Sequence, residues 1–368
     1  MNKKLIALAA MGLAGFAHAQ THVSLYGTVD TGLVKETGSD LRMDENAANV
    51  LGFSGTEELG SGMKATFQLE RQFQLYDGTN KATYSLDDSI SSALGNRGTV
   101  DWTGAANVGL ESPWGWVRLG RVNEMSVEYY TEIDPFLQGS TGAALSTYNL
   151  LRSEQLSSTI RYDSPEWAGF TFGLTYTLGA DTHDKPAGID NDIYNDGYAA
   201  SLRFDNGPVF LTANFNRQAD SGKSFVWNLG GAYRLGNARI SLGYQKSQLK
   251  NLSSILTDDG ASPPGVDLAG DPGTPVNQEE WLLGFQYAIG AGTINASYNR
   301  ASLDKTARDG NVNKYALGYT CDLSKRTQLY GVVSYTDSDN EYVGSLYNNN
   351  GAARDSVTGV QLGITHTF

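Results

Sequence analysis

From Val360 onward, every large residue of the closing segment falls on an even position: Val360, Leu362, Ile364, His366 and the final Phe368. Small or polar residues fill the odd positions. A period of two marks a β-strand with one apolar face and one wet face. The pattern recurs along the chain. Phe170, Phe172, Leu174, Tyr176 and Leu178 alternate with Thr171, Gly173, Thr175 and Thr177. Trp281, Leu283, Phe285, Tyr287 and Ile289 repeat it, as do Phe225, Trp227, Leu229, Tyr233 and Leu235. Counting such runs gives about sixteen strands, separated alternately by tight turns and long polar loops. The tight turns read as Glu58–Gly62, Ser112–Gly115, Ser164–Ala168, Asp205–Pro208, Leu235–Asn237, Ile289–Gly292 and Leu323–Arg326. Gly and Asn in them supply the positive φ that hairpins need.

The other end of the chain sets the compartment. Lys3 and Lys4 precede an apolar stretch from Leu5 to Phe16, and Ala17-His18-Ala19 forms a small-x-small site before Gln20. Residues 1–19 therefore read as a secretory signal peptide cleaved after Ala19, leaving 20–368 as one domain. No other stretch approaches the ~18 consecutive apolar residues of a helical span. With 43 Gly, 20 Tyr, only 9 Pro and 18% charged residues, the composition suits strands and tight turns. A mean hydropathy of -0.34 is compatible with a barrel, whose outer face alone must be apolar. A soluble sandwich fits poorly, because ~350 residues would divide into two domains and no linker breaks the pattern. The fold expected is all-β, a 16-stranded antiparallel transmembrane β-barrel in the outer membrane, with Phe368 closing it against the first strand.

Little chemistry is encoded. A lone Cys321 rules out an internal disulfide, and a formal charge of -13 argues against nucleic acid. His22, His183 and His366 show no metal-ligand spacing, and no His-Glu-x-x-His or Gly-x-Ser-x-Gly motif occurs. Asp190-Asn191-Asp192 lacks the ligand spacing of a calcium loop. The chain is expected to be no enzyme and to need neither cofactor nor metal.

Several short motifs carry a resemblance. They are Val23-Ser24-Leu25-Tyr26-Gly27, Leu51-Gly52-Phe53-Ser54-Gly55-Thr56-Glu57-Glu58-Leu59-Gly60, Leu119-Gly120-Arg121, Arg161-Tyr162-Asp163-Ser164-Pro165 and Leu323-Ser324-Lys325-Arg326-Thr327. In this order and spacing, the mature chain resembles the trimeric general porins of Gram-negative bacteria, especially the β-proteobacterial branch. The resemblance implies a homotrimer in outer-membrane lipid and lipopolysaccharide, delivered by the barrel-insertion machinery with Phe368 as its signal. It also implies that Val122–Arg152 folds inward as a constriction loop, carrying Glu124, Glu128, Glu132, Asp134, Phe136 and Arg152.

Relatives place an arginine cluster opposite that loop. The matching positions here are Val50, Gly104 and Gln155, none of them basic. Alternation supplies other inward charges: Asp30, Glu70, Lys64, Arg118, Arg161, Arg203, Arg234, Arg239 and Lys314. Arg71 and Arg121 have the opposite parity, and the resemblance places them in the subunit interface. The function expected is passive diffusion of ions and small hydrophilic solutes, leaning toward cations because Val50, Gly104 and Gln155 are not basic and the loop carries acids. Two alternatives stay open. One is a channel selective for a sugar or an organic or aromatic acid, with Tyr129, Tyr130, Phe136 and Tyr148 as a stacking ladder. The other is a structural or adhesive barrel.

Overall fold

A computed structural model describes residues 21–80, 101–145, 155–178, 196–219, 223–249, 276–304, 309–341, 343–344 and 353–368. The expected leader, Arg152, Tyr148 and the Asp190–Asp192 run lie outside them. The strands are β1 (Thr21–Glu36), β2 (Arg42–Asp44), β3 (Asn49–Gly60), β4 (Met63–Phe73), β5 (Ala106–Ser112) and β6 (Gly115–Asn123). A short helix α1 (Met125–Thr131) follows. Then come β7 (Gln155–Asp163), β8 (Phe170–Thr177), β9 (Gly197–Asn206), β10 (Val209–Arg217), β11 (Phe225–Leu235) and β12 (Ala238–Leu249). The last are β13 (Val276–Ile289), β14 (Gly292–Asp304), β15 (Gly310–Asp322), β16 (Thr327–Ser338) and β17 (Ser356–Thr367).

These strands form one antiparallel sheet, closed by pairing of β1 with β17. Short β2 and long β3 pair with the same edge of β1, β2 beside Gly32–Val34 and β3 beside Thr21–Thr28. They are two pieces of one stave, so the barrel has sixteen. All seven tight turns expected from the sequence fall between strands, and Thr21 and Phe368 lie at that same end. Phe368 exchanges two main-chain hydrogen bonds with Gly27, donating at 3.0 Å and accepting at 3.2 Å. A closed barrel leaves no unpaired edge in lipid, where such groups would have no water to bond.

The two faces separate as the alternation dictates. Leu211, Phe215, Leu242, Trp281, Phe285 and Leu362 are among the exposed outward residues. Their neighbours Thr212, Asn214, Ser241, Glu280 and Gln361 are buried on the inner side. Large apolar residues outside and small polar ones inside are the reverse of a soluble core, and suit a lipid-facing wall.

The closing seam holds a buried carboxylate. Asp30 on β1, 1% exposed, accepts from the Asn46 backbone N–H (2.6 Å), the Tyr330 hydroxyl (2.9 Å) and the Thr365 hydroxyl. It points inward as expected, but it joins β1, β16 and β17 rather than lining an open wall. Asp30→Ala would strand three donors, a loss of about 2–4 kcal/mol. The expected result is a clearly lower urea midpoint for unfolding from lipid vesicles. An unchanged midpoint would remove Asp30 from the seam's stability.

Candidate functional site

The candidate site is the lumen and the segment entering it after β6. Its first feature is a bulge. Ser157 and Ser158 oppose the single Arg121 between the pairs Gly120–Thr159 and Val122–Leu156, with φ of +129° at Gly120 and +51° at Ser158. A β-bulge increases local twist and re-aims side chains. The bulge explains a departure from simple alternation. Arg121 is buried within its own chain, donating to the carbonyls of Thr103 and Gly104 and to Ser157 Oγ (2.7 Å). Arg71 faces outward and exposed, as parity predicts, and donates to Asn80 Oδ1 at 2.7 Å.

Beyond the bulge the chain turns into α1. The Glu124 carboxylate caps this helix, accepting from the N–H groups of Ser126 and Val127, and is held by Asn216 Nδ2 at 2.6 Å. From there residues 132–145 run along the inner faces of successive strands. Tyr130 and Ile133 pack with Phe210, Ala232 and Leu282. Gly230 and Gly243 make that approach possible: a Cβ at either would stand 2.5 or 2.6 Å from Ile133 Cδ1. Phe136 packs on Ala316 and Val332, and the Thr141 N–H donates to Gln361 Oε1 on β17. The segment thus spans the inner wall from β9 to β17.

Polar contacts fix its charges. Arg161, 2% exposed, donates to both oxygens of Asp163, to the Asn123 carbonyl (2.8 Å) and to Glu128 Oε2 (2.7 Å). Arg118 shares Asp163 and stacks over the Trp116 ring, 3.8 Å from its centroid. Arg203 bridges Glu132 (3.2 Å) and Asp205 (2.9 Å). Asp134 is fully buried; Oδ1 accepts from the Phe136 N–H, and Oδ2 from Gln138 N, Gln138 Nε2 and Ala144 N. Burial pushes this carboxyl above its ordinary range, against the pull of those backbone N–H groups and of Lys314. Burial likewise raises the Tyr129 hydroxyl, with Arg161 opposing.

Each expected site residue within the described part of the chain therefore has a definite place; Arg152 lies outside it. Glu124 and Asp134 are buried and hold the loop's shape; Glu128 and Glu132 are half-exposed but paired with arginine. None of the four is an unpaired lumen charge, so the expected lean toward cations loses the support of the loop acids. Phe136 and Tyr130 are spent on wall packing, which removes two rungs of the aromatic ladder. Glu70 is engaged by Tyr26, Gln68 and the Ala105 N–H, and Lys64 stands 3.6 Å from Glu58 beside a short turn. Gln155 is buried where the chain enters β7, and Lys314 is buried near Asp134, Glu36 and Glu280.

Asp163, Asp205 and Trp116 were not singled out in the sequence. The signal was present: each lies two residues from an inward arginine, hence on the same face of its strand. Among the described residues no group of three or more His, Cys, Asp or Glu could hold a metal.

Comparison with known proteins agrees with this architecture. An outer membrane porin protein of Bordetella pertussis is 29% identical, over 91% of this chain and 94% of its own. Outer membrane porin protein 32 of Delftia acidovorans is 28% identical over the full length of both. Among solved structures, an anion-selective porin from Comamonas acidovorans superimposes with a TM-score of 0.72 at 23% identity, covering 95% of this chain and 100% of its own. A trimer form of the outer membrane protein OmpT of Vibrio cholerae gives 0.63 at 13% identity, covering 95% and 99%. The model of the Gram-negative porin family matches residues 5–341. With a closed sixteen-stave barrel, a polar lumen and an apolar outer wall, the chain belongs to the Gram-negative porin family, outer-membrane channels for small solutes rather than enzymes.

Proposed function

We propose that this porin works as a homotrimeric general diffusion channel, each barrel narrowed by residues 122–145 and nearly indifferent to the sign of the permeating ion. The observation that carries the reading is the pairing of loop carboxylates with wall arginines, Glu128 with Arg161 and Glu132 with Arg203. A fixed charge with its counter-charge beside it exerts little net field on a passing ion. The trimer form of the Vibrio protein supports the assembly, with exposed Arg71 as a residue at the subunit contact. Arg121 acts there through the backbone it secures, and Phe368 as the signal read by the insertion machinery. A solute-selective channel is less well supported, since Tyr130 and Phe136 pack on the wall. The anion selectivity of the Comamonas porin also speaks against a cation lean.

Reversal potentials across a planar bilayer in a KCl gradient test this. The expected potassium-to-chloride permeability ratio is within about threefold of unity, because among the described loop residues no unpaired charge adds its own factor. A ratio beyond about tenfold in either direction would overturn the reading, since that needs an unpaired charge or more at the narrow point.

A further inference from the structure

We propose a binding site for small oxyanions, carboxylate or phosphate, on the inner wall at the short-turn mouth, built on Arg234 and Arg239. It adjoins the Glu132–Arg203–Asp205 group without using its charges, and it rests on the reading of the lumen as open to solutes at that mouth. Arg234 on β11 and Arg239 on β12 are direct cross-strand partners, separated by the Leu235-Gly236-Asn237 turn. Both face inward, since Tyr233, Leu235 and Ile240 on the opposite parity are exposed on the outer wall. Directly opposed residues have Cβ atoms about 5 Å apart, and like charges there repel.

The surrounding groups offset this repulsion only in part. Among the described residues Arg239 donates only to neutral acceptors, Gln286 Oε1 at 3.0 Å and the Glu132 carbonyl at 2.7 Å. These two bonds fix its plane and leave further N–H groups for a ligand. Arg234 is exposed, and among the described residues it forms no ion pair; its backbone N–H donates to the Pro208 carbonyl at 2.8 Å. Two carboxylates lie near, Glu132 and Asp205, and both are bound by Arg203. Gln286 donates in turn to Asn295 Oδ1 at 3.0 Å, which extends a polar shelf along β13 and β14. One fixed guanidinium beside one free to swing matches the fork geometry that oxyanions take.

The test is single-channel recording in KCl, with inorganic phosphate or succinate added to one side and then the other. Currents are normalised to each channel's own anion-free value. The expected result is a saturable reduction at millimolar concentration, stronger from the short-turn side. R234Q should raise the half-blocking concentration at least fivefold. R326Q, which removes a positive charge from a different short turn, should leave it within twofold. Equal loss in R326Q, or no response to either anion in a conducting wild-type channel, would overturn the site. If the folded protein conducts no current, the open-lumen reading fails instead. Calorimetric titration of the detergent-solubilised protein with phosphate and succinate then decides the site, with heat lost in R234Q supporting it and no heat in the wild type overturning it.

Discussion

Replacing Arg161 by methionine is expected to shift the potassium-to-chloride permeability ratio toward cations by roughly fivefold, and to loosen α1 from the wall. One guanidinium here holds Asp163, Glu128 and the Asn123 carbonyl while 2% exposed. Methionine keeps most of the stem's volume and removes the charge. Glu128 and Asp163 then face the lumen with only Arg118 between them. A unit charge about 4 Å from a passing ion is worth about 1 kcal/mol even at the dielectric constant of water, which converts to that fivefold. Arg161 is buried but Glu128 is half-exposed, so the cost stays below the roughly 3–5 kcal/mol of a fully buried pair. It falls on the loop contact at Glu128 and on the wall contact at Asp163. E128Q should move the ratio the opposite way, because Arg161 keeps Asp163 and gains an unpaired donor. Ratios unchanged in both variants would show that neither residue faces the ion path.

Asp134→Asn should release the loop tip with the barrel intact. The carboxylate accepts four hydrogen bonds, three of them at Oδ2. An asparagine must turn its NH2 toward one side. Facing the three donors is prohibitive, so it faces the Phe136 N–H, while the remaining bonds lose their charge. The cost is about 2–4 kcal/mol. Amide exchange at Phe136, Gln138 and Ala144 should accelerate on the order of 30- to 1,000-fold, the same free energy read as an opening equilibrium. Amides in the β12–β14 ladder should keep their protection. Unaltered exchange at the tip would mean that wall packing by Ile133 and Phe136 suffices to hold it.

The barrel was legible in the sequence because a strand in this setting has one large apolar side and one small polar side. Phe170 to Leu178 and Trp281 to Ile289 declare their lipid face without any partner. The seven tight turns were legible for a similar reason, since a hairpin's backbone demands Gly or Asn locally. Alternation also placed Arg118, Arg161, Arg203, Arg234, Arg239 and Lys314 inside. It failed at Arg121, where Gly120 and Ser158 make a bulge that no period-two pattern encodes.

The lumen charges illustrate what a linear reading leaves out. Glu124, Glu128, Glu132 and Asp134 look alike as an acidic run, yet two hold the loop's shape and two neutralise wall arginines. Their roles depend on Asn216, Arg161 and Arg203, which lie 92, 33 and 71 residues away. Asp30 is similar: its partner Tyr330 is 300 residues distant and meets it only when the ends of the chain join.

The sequence by itself determined the class of structure, because side-chain period and turn chemistry are local, and the last strand with Phe368 beyond it already shows the period. Only the tertiary structure decided what the lumen presents to a solute. A charge inside a barrel acts through the net field of everything around it, and its neighbours come from strands far apart in the chain.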